Sequence, residues 1–256
     1  MTDFVPVNRL EELLVEAATN PAARPDFYRE LLRADLFVVT PDAPDAEGST
    51  TLAGGATLSL VSWAGPSGPY TPIFSSRERV DEVAHHVGRE MGFVALQGSA
   101  LFGMLTQVPQ PAVLNPGFAF GKQLVPDEIR RLADGTIFQP HERRVFEKAT
   151  QVLLGQPAAY PQELVDALTR LFRGRPSVEA AYVAQIQIPG EDAPHPIVGL
   201  VSSDAAKDIA DAGLVAKELG RPSPVDFLPL NASSTDGLAQ YFRGTKPFYE
   251  RTTSTP

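Results

Sequence analysis

Gly174-Arg-Pro-Ser177 and Gly220-Arg-Pro-Ser223 punctuate the second half of this 256-residue chain, and the reading of the fold turns on them. Each closes a helical pattern and opens a β pattern. Glycine suits a left-handed helix stop, and the proline two residues on forbids further helix. Around them, residues 150–154 read as a strand, 161–172 as a helix, 178–188 and 197–201 as strands, 204–219 as a helix and 225–228 as a strand. That order is βαββαβ, the split pattern of ferredoxin-like domains. A shared stop fits two pseudo-symmetric halves with both glycines at positive φ. Gly-x-Pro is also an ordinary helix stop, so the repeat alone does not prove symmetry.

Upstream, Leu10, Leu13, Leu14, Ala17 and Ala18 recur at helical spacing, with Asn8 and Glu11 placed as a capping box and Asn20-Pro21 as the end. Pro25 suits a first helical position, and Phe27, Tyr28, Leu31 and Leu32 form the next stripe. Residues 36–39 are apolar enough for a buried strand, and 40–55 read as a loop. Residues 57–63 and 70–74 flank Gly65-Pro-Ser-Gly-Pro69 as a hairpin with a long turn. Ser75-Ser-Arg-Glu78 reads as a capping box opening a helix to about residue 85. Beyond it come a strand at 93–96, a helix at 99–105, a strand at 112–114 and a helix at 126–133 stopped by Asp134-Gly135.

Charge is uneven along the chain, which also suggests two units. Residues 1–128 hold 8 Lys/Arg against 16 Asp/Glu, a net −8, and the remainder is close to neutral within a total of −9. The expected fold class is therefore α+β, two domains of mixed or antiparallel sheet with helices, at 1–138 and 139–256, the second with ferredoxin-like order. A chain of this length buries roughly three quarters of its unfolded surface. Without a cysteine there is no disulfide framework, thiol nucleophile or thiolate metal site. The acidic balance argues against nucleic acid and anionic membranes as partners. No apolar run approaches a bilayer span, and the start lacks a signal-peptide pattern.

Several stretches together resemble the SseB (enhanced serine sensitivity) family. Asn8-x-Leu10-Glu-x-Leu-Leu14, Arg24-Pro-x-Phe-Tyr28, Trp63 with Gly68-Pro-Tyr-x-Pro-x-Phe74, and Leu114-Asn-Pro-Gly117 with Gly121-Lys122 are similar to its N-terminal domain. Gly155-Gln-Pro-x-x-Tyr-Pro161, Ala181-Tyr182, Asp226-Phe227 and Pro247-Phe-Tyr249 are similar to its C-terminal domain. The resemblance implies a bacterial, cytoplasmic protein named for a growth phenotype. It brings no catalytic residues to carry over, and the name is no indication that serine is bound.

Few residue patterns in the chain match a known chemistry. His85-His86 point about 100° apart on a helix and cannot share a metal without distortion, and His195 between two prolines reads as a surface turn. Gly98-Ser-Ala-Leu-Phe-Gly103 has phosphate-loop spacing, but Met104 and Leu105 stand where Lys and Ser/Thr are needed. Gly98 there reads as freeing a strand-to-helix turn. Gly54-Gly55 lacks dinucleotide spacing, and no Gly-x-Ser-x-Gly elbow occurs.

The loop Asn115-Pro-Gly117…Gly121-Lys122 is the most promising: its glycines permit special backbone, and Lys122 could meet an anion. Phe118 and Phe120 in it are either core plugs or contacts, as are Phe248 and Tyr249 near the end. Arg24-Pro-Asp-Phe-Tyr28 reads first as the start of a helix and second as a recognition element. The candidate binding residues are thus Asn115, Gly117, Phe118, Phe120, Lys122, Phe248 and Tyr249, with no catalytic, metal or cofactor set. The reading leans to a non-enzymatic, cytoplasmic module that binds a protein partner or a small metabolite, with no nucleic acid and no membrane. An enzyme of amino-acid or thiol-related metabolism is the alternative, and a structural subunit the third.

Overall fold

The computed structural model describes residues 4–41, 59–139, 152–191, 193–221, 223–231 and 237–252. Residues 42–55 of the loop expected at 40–55, with Gly54-Gly55, and the starts of the strands expected from 57 and 150 lie outside them. Two compact units divide the chain, one of Met1–Thr19 with Asp26–Ile137 and one of Asn20–Pro25 with Phe138–Pro256.

The first unit begins with α1 (Arg9–Thr19) and α2 (Arg24–Arg33), whose 3–4 spacing buries Leu10, Leu13, Leu14, Phe27, Tyr28 and Leu31. Then follow β1 (Asp35–Val39), β2 (Trp63–Gly65), β3 (Gly68–Phe74), α3 (Arg77–Val87), β4 (Phe93–Gln97), α4 (Gly98–Leu105), β5 (Ala112–Leu114), β6 (Lys122–Leu124) and α5 (Pro126–Ala133). The sheet order is β4-β1-β3-β5-β6, with β2 on β3. Among the described residues, only β3 and β5 pair in parallel, so the sheet is mixed. Two differences from expectation are local. The β2–β3 connection is tight, Gly65 pairing with Gly68 across Pro66-Ser67, so Pro at the second turn position replaces a long loop. The cap of α3 is Ser76 rather than Ser75, accepting from the Arg79 N–H, which frees Ser75 for another use.

The second unit holds β7 (Leu153–Gly155), α6 (Gln162–Arg173), β8 (Val178–Gln187), β9 (His195–Ser202), α7 (Ala205–Glu218), β10 (Asp226–Pro229), α8 (Gly237–Arg243) and β11 (Tyr249–Glu250). Along the chain this includes βαββαβ, but the spatial order is β10-β9-β8-β11 with β7 also on β8. A ferredoxin-like sheet would insert β7 between β9 and β10. Here β10 pairs directly with β9, parallel, while β7 pairs antiparallel with β8, so the two halves are not equivalent.

A register shift between Val178 and Ala180 explains how β8 serves two cores. One extra residue lets Val178 share a face with Ala181 and Val183, against α6 and α7. Tyr182, Ala184 and Ile186 point the other way, toward Phe242 of α8. Ala22 of the Asn20–Pro25 segment is buried in the α6/α7 core, and Arg24 pairs with Glu218. Among the described residues, no helix is long and apolar enough to cross a membrane.

The twin glycines also part company. Gly220 has φ +60, as a left-handed stop requires, but Gly174 sits at φ −88, ψ 3. A Cβ at Gly174 would meet only the Leu171 carbonyl oxygen at 3.5 Å, an ordinary contact. Gly220→Ala should therefore cost about 1 kcal/mol, while Gly174→Ala should be neutral or gain up to about 1 kcal/mol. Urea unfolding followed by far-ultraviolet circular dichroism checks the contrast, and equal losses in both variants would contradict it.

Candidate functional site

In the first unit, a buried ion pair organises everything around it. Asn8 caps α1 by accepting from the Glu11 N–H at 3.0 Å, and its Nδ2 donates to the Ser75 carbonyl at 2.9 Å. In a closed capping box the Glu11 side chain would return to the Asn8 N–H. It accepts instead from the Val7 N–H at 3.0 Å and turns inward. There Arg79 grips it bidentately, Nε to Oε1 at 2.9 Å and Nη2 to Oε2 at 2.7 Å. Glu11 is fully buried and the Arg79 side chain is 5 % exposed. Such a pair is worth keeping only if every remaining polar atom is satisfied.

That condition is met. Ser75 donates its hydroxyl to Glu11 and accepts from Asn115 Nδ2 at 2.8 Å. Arg79 also donates to the Val5 carbonyl at 2.6 Å and to Glu82 at 2.9 Å. Burial pushes the Glu11 carboxyl up, but the hydrogen bonds from Arg79, Ser75 and Val7 outweigh it and hold the group below its ordinary range. The same pairing raises the guanidinium.

Asn115 closes the network from the β5–β6 hairpin. It is buried at φ +50, a conformation asparagine tolerates, and its Oδ1 accepts the Ser75 N–H at 2.9 Å. Phe118 N–H bonds back to the Asn115 carbonyl, with Pro116 second and Gly117 third at φ +86, the requirement of a type II turn. This turn carries Phe118 and Phe120 to Phe4, at centroid distances of 6.2 and 5.4 Å. The Arg79 guanidinium lies 4.3 Å from the Phe4 centroid and 5.1 Å from that of Phe118. All three rings are half-buried, and beside them Val5 and Val7 are 66 % and 51 % exposed. A polar clamp thus underlies an apolar surface patch.

Lys122 has an internal partner. Its Nζ lies 3.0 Å from Glu128 of α5, which also accepts from the Tyr28 hydroxyl, and 5.5 Å from the Tyr28 ring centroid. Tyr28 is itself 2 % exposed, so the Arg24–Tyr28 stretch is built into a helix start and core.

Phe248 and Tyr249 belong to the second unit and are packed there. Tyr249 pairs with Ala181 as part of β11 and donates its hydroxyl to the Phe172 carbonyl at 3.1 Å. Both rings rest near Phe172, at 6.3 and 5.7 Å. An open cleft beside them is lined by Thr169, Arg173, Glu250, Arg251 and Thr252.

The Gly174-Arg-Pro-Ser177 motif has a second use. Arg175 Nε donates to Asp211 at 3.0 Å, and Ser177 and Ser202 both donate to Asp208, tying the β8 and β9 ends to α7. Both carboxylates are buried. His195 is not a surface turn. As the first residue of β9 it is 2 % exposed, its ring nitrogens 2.9 Å from Asp226 and 3.2 Å from Glu191. Among the described residues, no cluster of three or more His, Asp or Glu is arranged to hold a metal ion.

Sequence reasoning placed Asn115, Gly117, Phe118 and Phe120 together but did not reach Glu11, Arg79, Ser75 or Phe4. Glu11 and Ser75 each had a sufficient role as a helix cap, and a second role through the fold leaves no mark on spacing. The one available signal was Glu11 lying beside the Leu10–Leu14 stripe.

No solved structure matches the chain. Two curated relatives do: Protein SseB of Escherichia coli (strain K12) and Protein SseB of Shigella flexneri. Each is 29% identical over 248 residues, covering 95% of this chain and 92% of the relative. The SseB protein N-terminal domain family matches residues 10–131 and the SseB protein C-terminal domain family residues 146–251. With both domains present in order over nearly its whole length, this chain belongs to the SseB family.

Proposed function

We infer that the protein is a non-enzymatic, cytoplasmic binding module, linked through its family to serine sensitivity, and that it works through a protein partner. The observation that carries this is the composition of the site in the first unit. The groups that could do proton chemistry there are committed to one another, Glu11 to Arg79, Ser75 and Val7, and Lys122 to Glu128. What faces outward over the clamp is apolar, Val5, Val7 and the exposed parts of Phe4, Phe118 and Phe120, with half-exposed Glu82 at its edge. Apolar side chains gathered on a fully hydrogen-bonded polar base suit a protein contact better than a reaction or a small polar metabolite.

The test is a paired capture experiment on the full chain. Val5→Ser/Val7→Ser changes two side chains that point into solvent, so thermal unfolding should stay within a few degrees of wild type. The protein recovered with wild type should be lost with this variant. Recovery of the same protein in equal amount, or turnover of a substrate that survives the double substitution, would reject the reading.

A further inference from the structure

Charge around the patch is unbalanced in one direction. Arg79 carries one positive charge shared by buried Glu11 and half-exposed Glu82. Glu78 is exposed one residue before Arg79, close enough to feel both Glu11 and Arg79. Its carboxyl is held below the ordinary range by its own N–H and the Ser76 hydroxyl, so it is ionised at neutral pH. These four groups leave two uncompensated negative charges. Neighbouring cations on the same helices have acidic partners, Arg9 with Glu12 at 2.8 Å and Arg77 with Asp81 at 3.5 Å. Glu82 lies beside the apolar surface, because it and the Val5 carbonyl accept from the same guanidinium, and Glu78 stands one helical turn before it on α3.

Resting on the contact-surface reading above, we propose that the occupant is a cationic amphipathic segment of a partner protein. Its apolar side chains cover Val5, Val7, Phe118 and Phe120, and its Lys or Arg side chains meet Glu78 and Glu82. A second copy of this chain fits poorly. A two-fold contact would bring two copies of the same negative excess into one interface, within a half that carries net −8. Anionic surfaces are repelled for the same reason. Complementary charge of this kind governs partner choice and association rate more than total affinity.

Two labelled peptides with the same leucine face, one with a lysine and one with a glutamate polar face, test this by fluorescence anisotropy at low salt. Full-length wild type should bind the lysine peptide about tenfold or more tightly than the glutamate peptide. Glu78→Lys/Glu82→Lys should weaken that binding about tenfold. Glu163→Lys/Asp166→Lys, which makes the same charge change at exposed positions of α6, should alter it by about twofold at most. If the first pair disturbs folding, Glu78→Gln/Glu82→Gln replaces it with a smaller expected loss.

Equal binding of both peptides, or equal losses from the α6 pair and the patch pair, would overturn the proposal. Loss in Val5→Ser/Val7→Ser without loss in the charge variants would overturn it and leave the contact surface standing. Unchanged binding in the valine variant would remove the contact surface itself. A wild-type dimer in light scattering that this variant dissolves would make a second copy the occupant, against the proposal.

Discussion

Gly98→Ala should destabilise the first unit by about 3 kcal/mol or more, at the upper end of overpacking effects. A Cβ there would sit 1.9 Å from the Leu31 carbonyl oxygen and 3.2 Å from Leu32 Cα. Both obstacles are backbone of α2, so no rotamer change relieves them. The close approach is also bonded, since the Gly98 N–H donates to the Ala34 carbonyl at 2.9 Å. Gly103, five residues on in α4, has open space where its Cβ would be. Gly103→Ala should accordingly gain about 0.5–1 kcal/mol from the helix interior. The single tryptophan, Trp63, packs against Phe74 in this unit, so its fluorescence during urea unfolding reports the right transition. A Gly98→Ala midpoint equal to that of wild type would show that the helices are not in contact this way.

Arg79→Met should cost about 3–5 kcal/mol, the range for removing one member of a buried ion pair. The loss is mostly the stranded charge of Glu11, together with the Val5 and Ser75 groups it leaves loosely held. Glu11→Leu/Arg79→Met, which removes both charges, should therefore be less damaging than Arg79→Met alone.

The direction with pH follows from the depressed Glu11 carboxyl. A group held below its unfolded value stabilises above that value, about 4.3 for glutamate, and the contribution fades as pH falls through the folded one. The stability gap between wild type and Glu11→Gln should thus be full near neutrality and narrow in acid below about pH 4. A gap that widens on acidification would mean that Glu11 is not held ionised.

Much of the fold could be read from spacing alone. The buried faces of α1 and α2 lie largely where 3–4 repeats put them, with Ala18 of the α1 stripe exposed instead, because helix burial is a local pattern that survives any arrangement. Strand partners are not local. Nothing in residues 153–229 says that β7 joins β8 rather than β9, and the ferredoxin-like order failed on that point. Short elements escaped too: β6 is three residues, Lys122–Leu124, one of them the lysine singled out for anion contact. The twin stops misled because identical letters need not share a conformation. Arg175 and Ser177 are held by Asp211 and Asp208, and the first glycine turns without a positive φ. In the site, a turn motif announced Asn115-Pro-Gly117 directly, whereas its partners Glu11 and Arg79 lie 68 residues apart and meet only through tertiary structure.

The assignment of Asn20–Pro25 to the second unit has a consequence for biosynthesis. These six residues leave the ribosome more than a hundred residues ahead of the rest of their unit. Ala22 has no native core to enter until α6 and α7 have been made. The order in which the two units can be completed is set by where this short strap lies in the chain, and a gene cut between the two family domains would deliver a second unit that lacks it.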